Sequence, residues 1–284
     1  MAECQNFEQF GLAPNLLSAI KRMGYTKPTA IQCKAIPVVL QGRDVMGAAQ
    51  TGTGKTASFG LPVLQKLLPL ANTSTSPARH PVRVLILSPT RELADQTAEA
   101  LSNYAADTPI RIGVVYGGVD IKPQAEALRK GVEILIATPG RLLDHLEQRN
   151  TNLNQSGIVI LDEADRMLDM GFLPDISRIL NALPKKRQNL MFSATFSPEI
   201  KKLAGNFLTD PVVIEVARQN ATAATIKQEV FSVNELQKTD VLVELLKTRG
   251  EDPDGKPLQT IVFVNAKLTA RRLCLLYTSP SPRD

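Results

Sequence analysis

Short apolar runs alternate with longer stretches of helical apolar spacing along most of this chain. The runs lack regular polar alternation, which is typical of strands buried on both faces of a sheet. Each run is followed by a helical stretch, and this order predicts a parallel sheet covered by helices on both sides. The predicted strands are residues 44–48, 84–88, 112–116, 134–138, 158–162, 189–193 and 211–216. The predicted helices between them are residues 55–68, 91–104, 123–130, 141–149, 175–183 and 199–207.

Breaks in this pattern divide the chain into segments. The predicted segments are residues 1–35, 36–216, 217–225, 226–273 and 274–284. The first reads as helical, the second is the α/β domain, and the third is polar without periodicity, so we interpret it as a linker. The fourth begins a second α/β unit, with strands near 229–233 and at 260–264 and a helix at 236–249. The last segment abandons any pattern, and we interpret it as a spurious tail rather than an ordinary disordered end.

Composition excludes several classes of protein. The chain has 284 residues, of which 43% are hydrophobic and 21% are charged, so it can form a sizeable core. It has no apolar run long enough for a transmembrane helix, and no basic and apolar leader opens it, so we expect a cytoplasmic protein without membrane contact. The three scattered cysteines and two histidines disfavour a zinc site. The net charge of +5 permits a polyanionic partner without establishing one.

A glycine-rich segment lies between the first predicted strand and its helix. Its residues are Ala49, Gln50, Thr51, Gly52, Thr53, Gly54, Lys55 and Thr56. Glycines allow the backbone N–H groups to face phosphate oxygens, while Lys55 can reach the β- and γ-phosphates and the Thr56 hydroxyl can ligate Mg²⁺. The strand–loop–helix context disfavours the alternative of a flexible glycine turn. The segment therefore predicts a phosphate loop, although Ala49 stands where the generic pattern has glycine.

An acidic cluster, Asp162-Glu163-Ala164-Asp165, begins at the last residue of the predicted strand 158–162. A carboxylate at the tip of a neighbouring strand is where the Mg²⁺ partner of a phosphate loop belongs. We therefore expect Asp162 to hold the metal through its water shell and Glu163 to orient the attacking water. The alternative is a charged helix N-terminus, where acidic residues are favoured in any case.

Further polar or glycine clusters follow four other predicted strands. They are Pro89, Thr90 and Arg91; Gly117 and Gly118; Thr138, Pro139, Gly140 and Arg141; and Ser193, Ala194 and Thr195. Each could be an ordinary turn, and Thr90, Thr138 and Thr195 could each cap a helix. Because ligands of open parallel sheets bind outside the carboxyl ends of the strands, their joint placement predicts one continuous functional edge.

These motifs resemble those of the DEAD-box RNA helicases. Residues 24–32 resemble the Q motif of that family, and Phe7 matches its isolated upstream aromatic residue. The phosphate loop beginning at Ala49 has the form of the family, and the other clusters follow in its order and spacing. The resemblance covers residues 1 to about 273, and residues 164–172 and 187–190 look most similar to the bacterial RhlE-type branch.

The resemblance implies a RecA-like P-loop NTPase domain followed by the start of a second RecA-like domain, with ATP and Mg²⁺ as cofactors. Gln32 would read the adenine edges and Phe7 would stack on the ring. The clusters at residues 89–91, 117–118 and 138–141 would hold the RNA backbone with little sequence specificity, and Ser193, Ala194 and Thr195 would couple the two sites. Proteins of RNA degradation or ribosome assembly would be the partners.

Three functions remain open from these motifs. The first is an ATP-dependent RNA helicase or RNA-dependent ATPase, and the second is an ATP-gated RNA clamp or scaffold that does not unwind. The third, a P-loop ATPase of another class, is disfavoured by the Q motif. RNA-stimulated phosphate release separates the first two.

The resemblance also predicts a limit on turnover by the chain as written. The family delivers arginine fingers from an arginine-rich motif of its second domain, and this sequence contains no stretch of the form HRxGRxxR. We interpret the chain as a truncated copy. Because such arginines are worth about 10³–10⁵ in rate, we expect phosphate release with single-stranded RNA to stay below about 0.1 s⁻¹. Faster release would show that the first domain carries catalysis unaided.

Overall fold

The computed structural model describes residues 4–49, 52–216, 229–249 and 260–278. The chain separates into two compact units, residues 1–218 and residues 219–284, and each is described by itself.

The first unit is built on a parallel sheet of seven strands. The strands are β1 (Val45–Ala48), β2 (Val84–Leu87), β3 (Ile112–Val115), β4 (Ile134–Ala137), β5 (Ile158–Leu161), β6 (Gln188–Ser193) and β7 (Val212–Glu215). Their order across the sheet is β3-β4-β2-β5-β6-β1-β7, with all neighbours parallel. The predicted strands of this unit and the predicted α/β class with a parallel sheet are thereby confirmed.

Burial explains why the central strands read as unbroken apolar runs. Every residue of β2, β4 and β5 is buried. Successive side chains of a strand point to opposite faces. Accordingly Val84 and Ile86 belong to one apolar cluster, and Leu85 and Leu87 belong to another on the other face. The sheet therefore has a core on each side.

Helices cover both faces of the sheet. They are α1 (Pro14–Arg22), α2 (Ala30–Leu40), α3 (Lys55–Leu67), α4 (Arg91–Tyr104), α5 (Ile121–Arg129), α6 (Pro139–Glu147), α7 (Ala164–Asp169), α8 (Leu173–Asn181) and α9 (Pro198–Phe207). The sequence pattern did not predict α7, because a six-residue helix is too short to show a helical period. In the part of the chain that the structure describes, no helix is both long and apolar enough to cross a bilayer.

The N-terminal helices belong to the same core as the sheet. Leu16 and Ile20 of α1 and Ile31 of α2 lie in the cluster that also contains Ile86. The predicted boundary between residues 35 and 36 falls inside α2. The Q-motif segment is therefore held rigidly against the domain that carries the phosphate loop.

The described part of the second unit includes the α-helices α10 (Lys238–Arg249) and α11 (Lys267–Thr278). The strands predicted near 229–233 and at 260–264 were wrong, because both described segments have irregular backbone. Val230, Ile261 and Phe263 are 97%, 80% and 92% exposed, so the apolar residues that suggested strands have no sheet to join among the described residues of this unit. The predicted linker lies outside the described residues, as do residues 279–284, and α11 crosses the predicted boundary at 273/274.

Candidate functional site

The predicted functional residues gather along the carboxyl edge of the sheet. Leu87 at the end of β2 lies opposite Leu161 at the end of β5. The register of the other strand pairs places the ends of β3, β4, β6 and β1 along the same edge of the sheet. Thr90 and Asp162, which follow β2 and β5, therefore lie on the same edge. This confirms the predicted placement of the strand-end clusters.

The phosphate loop joins β1 to α3 in the geometry that its glycines allow. Gly52 and Gly54 have φ angles of +82° and +87°, the left-handed region that favours glycine. Gly54 is the residue before α3, and Lys55 opens the helix with its side chain buried. Gln50 and Thr51 lie outside the described residues. Ala49 is buried and donates its N–H to the Ser193 carbonyl at 3.1 Å, which ties the loop to the end of β6.

A buried ion pair links the phosphate loop to the acidic cluster. The Lys55 Nζ lies 2.5 Å from the Glu163 Oε1, and the two side chains are 6% and 13% exposed. Glu163 has a φ of +56°, a strained conformation for a residue other than glycine. This left-handed conformation turns the chain between β5 and α7. The ion pair therefore holds the phosphate loop next to the acidic cluster.

Asp162 has the properties of a metal ligand. It is 7% exposed, and its Oδ1 has no hydrogen-bond partner among the described residues. Burial raises the pKa of Asp162 to about 6, and the nearby Lys55 charge opposes the rise. Oxygen ligands suit Mg²⁺, so the orphaned carboxylate oxygen, together with the half-buried Thr56 hydroxyl on the phosphate loop, fits that ion.

A second aspartate of the acidic cluster holds the segment after β6. The Asp165 Oδ2 accepts hydrogen bonds from the Ala194 N–H and the Thr195 N–H, both at 3.1 Å, and from the Thr195 hydroxyl at 3.3 Å. Ser193 is fully buried at the end of β6. The sequence assigned no role to Asp165, although its place in the same acidic cluster as Asp162 was a usable signal. Thr195 therefore does not cap a helix, an alternative that the sequence allowed: its hydroxyl donates to Asp165, and Ser197 caps α9.

Gln32 contacts the phosphate loop directly. Its Nε2 donates to the Gly54 carbonyl at 3.1 Å, and its Oε1 accepts from the Thr29 N–H at 2.9 Å. The side chain is 3% exposed. A Cβ at Gly54 would lie 2.3 Å from the Gln32 Nε2, so any side chain there would displace the Gln32 amide, and the φ angle of +87° also favours glycine. The predicted adenine-reading residue is thus part of the support of the loop.

Phe7 lies within an N-terminal aromatic cluster. Its ring stacks on Tyr25 at a centroid distance of 6.3 Å and an angle of 25°, and meets Phe10 edge-on at 6.0 Å. Only 4% of Phe7 is exposed. In this conformation the ring stabilises the N-terminal segment, and Tyr25 covers one of its faces.

Replacing Gln32 with alanine should destabilise the domain even without nucleotide. The change leaves the Gly54 carbonyl and the Thr29 N–H without their partner, at a cost of about 1–3 kcal/mol. It should also reduce the preference for ATP over GTP. Thermal unfolding and competition binding measure the two effects. Gln41→Ala, at the exposed end of the same helix, is the matched control, and equal behaviour of both variants would contradict the assignment.

The segments after β2 and β3 form an exposed surface. Thr90 caps α4, since its hydroxyl accepts from the Leu93 N–H at 3.3 Å. The Arg91 guanidinium lies 4.9 Å from the centroid of the Tyr116 ring, and the side chain is 51% exposed. Gly117 and Gly118 are exposed, and a side chain at either position would meet open space. The backbone of Gly117 and Gly118 is therefore accessible to a large ligand. Pro89 follows β2 and directly precedes Thr90.

The segment after β4 adds a cation that is incompletely paired. The Arg141 Nη2 donates to the Val119 carbonyl at 2.9 Å, which ties α6 to the double-glycine segment. Its Nε lies 3.5 Å from the Asp144 Oδ2 in an ion pair within α6, whereas its Nη1 has no hydrogen-bond partner among the residues described, and the side chain is 11% exposed. Thr138 and Pro139 are buried, and Thr138 does not cap α6 with its side chain. Gly140 borders open space. Arg141 therefore has donors left for an anionic partner.

The acidic cluster follows β5, which is separated from β1 by β6, so the two strands are not the direct neighbours that the sequence had predicted. A parallel sheet with a phosphate loop after its first strand and an acidic cluster at the tip of the second strand along defines a RecA-like P-loop NTPase domain. The model of the DEAD/DEAH box helicase family matches residues 29–203, and the chain belongs to this family. Membership implies nucleotide binding. The assignment to the RhlE-type branch remains a prediction.

Individual relatives agree with the family. The ATP-dependent RNA helicase CshA of Limosilactobacillus reuteri is 43% identical over 261 residues, which cover 92% of this chain and 50% of the relative. The DEAD-box ATP-dependent RNA helicase RhpA of Helicobacter pylori is 41% identical over 268 residues, or 94% and 51% of the two chains. The chain thus spans about half the length of these curated relatives. A solved DEAD box protein from Methanococcus jannaschii is 38% identical with a TM-score of 0.69, covering 97% of this chain and 70% of that one.

Proposed function

We propose that the chain supplies the ATP- and RNA-binding half of an ATP-dependent RNA helicase. The observation that carries this proposal is the Lys55–Glu163 pair beside the unpartnered Asp162 oxygen, at the same edge as the Asp165–Thr195 hydrogen bonds. The two relatives described above, both named ATP-dependent RNA helicases, support it.

The nucleotide role follows from the charges at the edge. Lys55 would hold the β- and γ-phosphates, while Asp162 and Thr56 would hold Mg²⁺, which supplies charge neutralisation at the phosphates when bound. Lys55 is paired with Glu163 in the described conformation. Phosphates that attract Lys55 would compete with this pair and free the Glu163 carboxylate to orient water. Gln32 would contribute base selection, and the residues of the loop, including Thr53, would surround the phosphates.

The RNA role follows from the accessible backbone and the spare donors of the neighbouring segments. Thr90, Arg91 and Arg141 would contact phosphates, and the exposed Gly117 and Gly118 would let a sugar–phosphate chain approach closely. Such contacts carry little sequence information. Asp165 bridges the acidic cluster and Thr195, so it would link nucleotide and RNA occupancy through Ser193, Ala194 and Thr195. We also propose a cytoplasmic location, as the sequence suggested, and partners from RNA degradation or ribosome assembly, which the resemblance alone suggests.

Replacing Arg141 with glutamine should weaken binding of a short single-stranded RNA by about tenfold, since a charge-assisted contact to phosphate is worth about 1.5–3 kcal/mol. The salt dependence of binding should also become less steep. Fluorescence anisotropy of a labelled oligoribonucleotide at two salt concentrations measures both. Arg178→Gln removes an equal charge from an exposed arginine of α8 and is the control. Equal losses in the two variants would contradict the RNA surface.

Glu163→Gln separates an ATPase from a clamp. The variant should keep ATP binding, because Lys55 and Asp162 remain, while any slow phosphate release by the 284-residue chain should fall by about tenfold or more. Phosphate release under single-turnover conditions and calorimetric ATP binding are the two measurements. Release that does not change in the variant would favour an ATP-gated clamp.

A further inference from the structure

A cavity of about 240 Å³ lies at the amino edge of the sheet, opposite the edge described above. Ile158 and Gln188, which line it, are the first residues of β5 and β6. Arg83 directly precedes β2, and Gly42 lies in the turn before β1. The cavity therefore sits beneath four adjacent central strands, β2, β5, β6 and β1, with the last turn of α3 as another wall.

The polar part of this cavity is cationic. The Lys66 Nζ donates to the Gln188 Oε1 at 2.8 Å and to the Val39 carbonyl at 3.3 Å, so one of its three ammonium hydrogens is left. The Arg83 Nε is buried without a hydrogen-bond partner among the described residues. None of the described residues that line the cavity is acidic. Two cations thus share the cavity with no counter-charge in its wall.

The surroundings of the Lys66 ammonium group favour a ligand over a packing defect. Burial lowers the pKa of Lys66, because desolvation disfavours its charged ammonium group. A bound anion would offset that cost. Gly42 has a φ of +81°, and a Cβ there would lie 3.6 Å from the Lys66 Nζ. Gly42 therefore lies directly beside the ammonium group.

The rest of the wall is apolar. Leu67, Leu70 and Ile158 line the cavity, and Leu70 is 49% exposed, which places it at the mouth. The volume is below the ~300–1,000 Å³ of pockets for drug-sized ligands. An occupant must therefore be small and must combine a negative charge with a compact apolar body.

We propose that this cavity binds a small organic anion, a carboxylate or phosphate attached to an aromatic or branched aliphatic group. Lys66 and Arg83 would hold the charge, Gln188 would orient Lys66, and the two leucines would cover the apolar body. The site is separate from the nucleotide site, because Lys66 lies eleven residues after Lys55 on α3, about 17 Å along the helix axis.

Glycine-selective ¹⁵N labelling of the full chain tests the proposal and locates the ligand. Titration with phenyl phosphate and, separately, with benzoate should shift the amide signals of Gly42 and Gly157 in a saturable way, with a Kd of about 1 mM or tighter for at least one probe. The signals of Gly52 and Gly54, which report on the phosphate loop, should move less. Benzyl alcohol, an uncharged analogue, should not saturate the site, and the tighter probe identifies the anionic group.

Substitutions decide whether the two cations are responsible. Lys66→Met keeps the apolar stem and Arg83→Gln keeps a donor, and each should weaken binding by about tenfold, while Lys202→Met, on the exposed surface of α9, should not. If Lys66→Met fails to fold, Arg83→Gln decides. Absence of saturable shifts, shifts confined to Gly52 and Gly54, or unchanged binding in folded Lys66→Met and Arg83→Gln would each overturn the proposal.

Discussion

Mg²⁺-dependent ATP binding should become undetectable in Lys55→Ala, a loss of about 100-fold or more. Lys55 is the buried cation at the start of α3, and a triphosphate would lose at least two charge-assisted hydrogen bonds, each worth about 1.5–3 kcal/mol. The variant also leaves the Glu163 carboxylate without its partner, and that charge would repel phosphates. Isothermal titration calorimetry with ATP and Mg²⁺ measures the loss.

A matched control separates this effect from a change in net charge. Lys34→Ala removes an exposed lysine from α2, where its Nζ donates to the Glu215 carbonyl at 3.4 Å, and it should bind ATP normally. Thermal unfolding of Lys55→Ala shows whether the domain stays folded. A folded Lys55→Ala chain that binds within about threefold of the unmodified chain would contradict the assignment of the phosphate loop.

Asp162→Asn should combine a functional loss with a gain in stability at pH 7.5. The variant removes the carboxylate that would hold Mg²⁺, so the dependence of ATP binding on Mg²⁺ should largely disappear. It also removes a charge that burial disfavours. Because the pKa of Asp162 rises from 3.8 to about 6 on folding, the free energy of unfolding should increase by about 3 kcal/mol, or about 6–12 °C in Tm.

The pH dependence of that stability difference checks its origin. A raised pKa means that the folded state binds the proton more tightly, so the penalty is absent below the unfolded pKa of 3.8, grows as pH rises from there to about 6, and is fully present above that value. The difference in Tm between Asp162→Asn and the unmodified chain should therefore shrink between pH 7.5 and pH 5. Asp169→Asn, on the exposed end of α7, should show no such change. A stability gain that is equal at both pH values would rule out desolvation of Asp162 as its cause.

The apolar pattern was enough to predict the α/β domain. Runs such as residues 84–88 present apolar side chains to both faces, as a strand between two helical layers requires. Every strand of the first unit was accordingly predicted within two residues. Position after a strand was likewise enough to place the polar clusters on one edge, because all neighbouring strands are parallel. The same reasoning failed near 229–233 and at 260–264, since a strand also needs a neighbour to hydrogen-bond, and apolar composition does not report whether one exists.

By itself, the sequence determined the class of fold, the edge that carries the motifs, and the residue types available there. The tertiary structure decided which of those residues touch. It joined Lys55 to Glu163, assigned Asp165 to Thr195, and turned Gln32 toward Gly54. These contacts link residues 22 to 108 positions apart. Periodicity records only how each segment divides between core and solvent, whereas contacts between segments depend on strand order and register, which arise when the whole sheet assembles.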